Sequence, residues 1–190
     1  MGLSLREFYF AVALFLSSAG GLIIEIVAGR LIAPYVGMSL YTWTAIIAVV
    51  LAGLSVGHWI GGRMASEGVS DRTLSRRLAV ALGLASVSSL ASLVLVRVVS
   101  GLLLTSGLGP VLIVVLLATI LFLLPSLFVG IVAPVLTKIA IDERPDSVGP
   151  VLGRMFAIGT VGSIAGTLGA GYLFVSWIGS IGTVIAVAAI

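Results

Sequence analysis

Apolar residues in this chain run for about 20 positions at a stretch, and that length leaves room for very few architectures. Twenty residues of helix rise about 30 Å, the thickness of a bilayer's hydrocarbon core. Backbone polar groups in lipid must be satisfied internally, so such runs fold as helices packed into a bundle. Composition agrees: 60% of the 190 residues are hydrophobic and 9% are charged, against about 25% charged in a soluble domain. The expected fold is all-α, a single polytopic transmembrane helical bundle over residues 1–190.

Five full segments are expected at about 8–28, 42–60, 78–99, 110–140 and 151–175. A sixth, 178–190, would rise only about 20 Å and reads as truncated. The first 19 residues look like a signal peptide, but the apolar run passes any cleavage site, so it reads as a retained helix.

Loop charge orients the bundle. Arg6, Arg63, Arg72, Arg76, Arg77, Lys138, Arg144 and Arg154 fall on one side, and Arg30 and Arg97 on the other. By the positive-inside rule this is a multi-pass protein of the cytoplasmic membrane with a cytoplasmic N-terminus. The net charge of +3 is the ordinary excess of membrane loops, so no nucleic-acid partner is implied. Without cysteine, and with one histidine and seven acidic residues, the chain offers no thiolate chemistry, and a transition-metal cage is improbable. No metal, cofactor or catalytic residue is expected, and the chain does not read as an enzyme.

Small residues recur at helical spacing: Gly21 and Gly29; Gly53, Gly57 and Gly61; Gly159, Gly162, Gly166 and Gly169. Such stripes let helix backbones approach closely; packing within the bundle, sliding surfaces and a dimer face all fit them. Pro125 and Pro134 interrupt the fourth segment, giving either a kinked helix with an interfacial extension or a discontinuous helix lining a cavity. Tyr35, Tyr41, Trp43, Tyr172 and Trp177 read mainly as interfacial anchors.

Glu25 is the most informative polar residue, because an intramembrane carboxylate is costly. Counted from Phe8 it lies about 26 Å along the helix, in the outer leaflet. It either pairs with Arg30 or Arg97, or binds a cation or proton. His58 is either an interfacial hydrogen-bonding group or a proton shuttle. Glu25, His58 and Arg30 are the candidate substrate- or proton-binding residues.

Three stretches carry a family resemblance: EIVAGRLIAPYVGMSLYTWTAIIAVVLAGLSVGHWIGGRMA (25–65), PSLFVGIVAPVLTK (125–138) and GRMFAIGTVGSIAGTLGAGYLFVSWIGS (153–180). Together they resemble the membrane domain of spermidine-synthase-like proteins, in which a major-facilitator-like helical domain is fused to a spermidine synthase domain. GGRMASEGVSDR also resembles the cytoplasmic loop after the second helix of major facilitators, but departs from it at Ala65-Ser66-Glu67. The resemblance implies about six helices, half a major facilitator, that transport or sense a small cationic amine such as a polyamine. A homodimer or a partner would enclose the path, and an aminopropyltransferase-like cytoplasmic domain, absent from these residues, is a further implied partner. The alternative function is a non-transporting anchor or assembly platform for that domain.

Overall fold

A computed structural model describes residues 5–66 and 68–190, with nothing said of the Leu5 side chain. The first four residues of the signal-like stretch and Glu67 lie outside the described residues. Every regular element among the described residues is helical: α1 (Leu5–Val36), α2 (Leu40–Met64), α3 (Asp71–Leu104), α4 (Pro110–Asp142), α5 (Val148–Gly169) and α6 (Val175–Ala189). Five helical stretches are long and apolar enough to cross a membrane, the last being the continuous run Pro145–Ala189.

The first three helices exceed their expected lengths, and the end groups explain why. α1 continues through Arg30 and Pro34 and stops only at Gly37, whose φ of +72° admits the left-handed turn; its N–H donates to the Ala33 carbonyl. Ser39 then caps α2 by accepting from the Thr42 N–H at 3.2 Å, and the buried Thr42 hydroxyl donates back to the Gly37 carbonyl. Ser70 caps α3 in the same way with Thr73, and Asp71 sits in its first turn, where a carboxylate complements the helix dipole. Residues expected to be loop, 71–77, are therefore helix.

α4 corrects the expectation drawn from its prolines. It is one unbroken helix of 33 residues with Pro125 and Pro134 inside it, neither discontinuous nor followed by a separate interfacial helix. It is apolar on all sides, as a central helix should be. Phe122, Leu117 and Leu121 pack with Ile32 and Ile46; Leu136 packs with Leu14 and Met155; Ile131, Val135 and Ile139 pack with Leu74 and Ala81.

Two helix pairs come into backbone contact along the glycine stripes. On α2, a β-carbon built at Gly53 would stand 2.8 Å from the Leu123 carbonyl oxygen, one at Gly61 2.6 Å from that of Ile131, and one at Gly57 would overlap that of Leu127. On α5, Gly162 and Gly166 lie in the same way against the Phe15 and Ala19 carbonyls of α1. Both pairs run parallel, since partner numbers rise together. The outer surface is apolar, with Leu51, Val87, Val94, Leu102, Leu124 and Ile164 exposed, as suits lipid contact. Gly179, at φ +69° and ψ 173°, breaks the last helix. Beyond it Val184 packs back beside Ala170 and Val27.

Candidate functional site

α1, α2, α4 and α5 surround a cavity of about 530 Å³. Its apolar walls include Leu14, Leu22, Val129 and Met155, while Gly21, Pro134 and Gly159 widen it by lacking bulk. Six polar side chains line it: Ser17, Ser18, His58, Thr137, Thr160 and Ser163. Two of them are spent on their own helices, Ser17 on the Leu14 carbonyl and Thr160 on that of Phe156. The hydroxyls of Ser18, Thr137 and Ser163 and the imidazole of His58 make no hydrogen bond among the described residues. His58 is exposed and Ser18, Thr137 and Ser163 are half-buried, so their unspent hydrogen-bonding capacity is accessible to a polar occupant of the cavity.

The structure separates the three candidate binding residues. His58 lines the cavity, is exposed and has no hydrogen-bonding partner among the described residues. Glu25 stands one helical turn beyond Gly21 and Leu22, which line the cavity. It is half-buried and forms no ion pair with Arg30 or Arg97: the ion pairs among the described residues cluster at the other end of the bundle. Arg30 is exposed and follows Glu25 by five residues, about 140° around the helix, so it belongs to another face.

Because α1 ends at Val36, about 16 Å of helix remain beyond Glu25. The carboxylate therefore lies deeper from its nearer end than an α1 ending at residue 28 implied. Among the glycines, a β-carbon built at Gly21 would stand 3.2 Å from a Val129 methyl, and one at Gly29 3.2 Å from the Trp43 ring. Trp43 is thus packed against α1, whereas Tyr41, Tyr172 and Trp177 are exposed. Gly169 faces the Phe174 ring in the wider helical turn of Ala170–Phe174.

A second charged constellation has no counterpart in the sequence motifs. Glu7, on the first turn of α1, is only 4% exposed. The Arg144 guanidinium grips it in bidentate fashion, Nε 2.6 Å from Oε1 and Nη2 donating to Oε2 at 2.9 Å. Arg154 of α5 approaches Oε1 at 3.5 Å. Arg6 pairs with Asp71 of α3 and lies 3.0 Å from Glu143. Three arginines thus balance three carboxylates across α1, α3, the α4–α5 turn and α5. Their separation in the chain, 137 residues for Glu7 and Arg144, conceals the set from any local motif.

Among the described residues no group of three His, Asp or Glu side chains could hold a metal ion. No family model matches the chain, and no curated protein or solved structure does so.

Proposed function

We propose that this chain is the membrane domain of a spermidine-synthase-like protein and binds a small cationic amine, a polyamine being the fitting class, in order to transport or sense it. The observation that carries this reading is the cavity in which the hydroxyls of Ser18, Thr137 and Ser163 and the imidazole of His58 have no partner among the described residues. An ammonium group donates up to three hydrogen bonds. Ser18, Thr137, Ser163 and neutral His58 are acceptors suited to receive them. Glu25, which forms no ion pair with an arginine among the described residues, supplies the compensating charge one turn away. His58 is the group able to exchange a proton near neutral pH.

Oriented by its loop charges, the domain would have its N-terminus in the cytoplasm. In this reading six helices form half of a major-facilitator-like bundle, and a second copy encloses the path. The backbone-to-backbone seams of α2 with α4 and α1 with α5 favour a second reading, a rigid anchor holding an aminopropyltransferase-like domain at the membrane.

Binding of radiolabelled spermidine to protein in lipid nanodiscs separates the two. Saturable binding by the wild type, weakened at least tenfold by Glu25→Gln, is the expected result. Equal and nonsaturable association with both proteins would overturn the amine reading in favour of the anchor.

A further inference from the structure

Glu7 and Glu25 are 18 residues apart, five helical turns, so they share one line on α1 about 27 Å long. Between them on that line stand Leu14, Ser18 and Gly21, all of which line the cavity. On α5, Arg154 directly precedes Met155 and Phe156, which also line it. On α4, the lining residue Thr137 is followed by Lys138, which pairs with Asp142. The Glu7 cluster therefore lies beyond the cavity, toward the end that carries the charged loops.

We propose that the Glu7–Arg144–Arg154 cluster is a gate that closes the cavity toward the charged-loop face. The ions it joins belong to the elements that must part for that face to open: α1, the α4–α5 turn and α5, with Arg6 extending the clasp to α3. It is also imperfectly satisfied, which suits a contact that must break and re-form. Arg154 Nε is buried without a hydrogen bond and Glu143 Oε1 has only its 3.0 Å ion pair with Arg6 Nε, and the attraction of buried ions is largely offset by their desolvation. The seam of Gly162 and Gly166 against α1 begins eight residues beyond Arg154, about 12 Å along α5. It provides a fixed contact about which the inner end of α5 can swing.

The gate deepens the cavity reading, but its test needs no substrate. The chain contains no cysteine, so Ser18→Cys introduces a single thiol into the cavity. Its reaction with a membrane-impermeant methanethiosulfonate is measured from each face in oriented vesicles. With Glu7 and its arginines intact, labelling from the charged-loop face is expected to be slow. Adding Glu7→Gln should accelerate it at least tenfold from that face alone. Arg154→Gln, which leaves the Arg144 pair in place, should give a smaller acceleration and covers the case in which Glu7→Gln does not yield monodisperse protein. Fast labelling from that face with the cluster intact, or no acceleration in a monodisperse variant, would overturn the gate. Absence of spermidine binding with accelerated labelling would overturn the amine alone and leave the gate standing.

Discussion

A Gly57→Ala substitution is expected to weaken the bundle severely, while Gly62→Ala, five residues along the same helix, is expected to leave it intact or stabilise it. Both glycines are inside α2, so helix propensity favours alanine at each by up to about 1 kcal/mol. Packing reverses the sign at one of them. A methyl at Gly57 would run into the Leu127 carbonyl and the Cα of Gly130, backbone atoms that no rotamer change can move aside. A methyl at Gly62 meets nothing within 4 Å. To admit the first, α2 and α4 must separate along a seam that also includes Gly53 and Gly61. That loses close dispersion contacts and any Cα–H···O bonds across the seam. Overpacking of this kind costs about 1–3 kcal/mol or more, and rigid backbone on the far side places Gly57 at the upper end. Thermal unfolding in detergent, read by circular dichroism, should show a clear fall in midpoint for Gly57→Ala only. Equal midpoints for the two variants would mean that the α2–α4 contact is not tight.

The α2 glycines also mark how far a sequence of this kind can be read. The four-residue spacing of Gly53, Gly57 and Gly61 signals a close helix contact, because periodicity is a local property. Which helix makes it is not written there: the partner carbonyls of Leu123, Leu127 and Ile131 belong to residues with ordinary side chains. Helix ends are hard to place for a related reason. Arg30 and Pro34 look like terminators, yet α1 carries both, giving up at Pro34 the one bond to the Arg30 carbonyl, and Gly37 with Ser39 and Thr42 supplies the actual stop. Ser18 and Ser163 are visible beside the glycine stripes, but their shared cavity depends on α1 and α5 running parallel in contact. Arg6, Arg144 and Arg154 register in the sequence only as cytoplasmic charge, a sum that carries no information about pairing. Glu7 gives no signal of its own, because an acidic residue in the first turn of a helix is commonplace.

Glu7 and Glu25 together give the sharpest contrast in the molecule, since they are the same residue type on the same face of one helix. Truncating Glu7 to alanine should destabilise the protein by about 3 kcal/mol, the low end for breaking a buried pair because both guanidiniums keep contact with solvent. Arg144 and Arg154 are 32% and 33% exposed, so water recovers part of what they lose. Glu25→Ala should do the opposite and leave the unfolding midpoint unchanged or higher, because removing an unpaired carboxylate relieves a desolvation cost and breaks no ion pair. The double variant Glu7→Ala, Arg144→Ala isolates the pair: if the contact is cooperative, its loss should fall short of the two single losses added together. Chemical denaturation in mixed micelles measures all these proteins on one scale. A Glu25→Ala loss as large as that of Glu7→Ala would assign Glu25 a structural partner and remove it from the binding site. Opposite signs would mean that α1 commits one carboxylate to holding its inner end closed and keeps the other free for a cation.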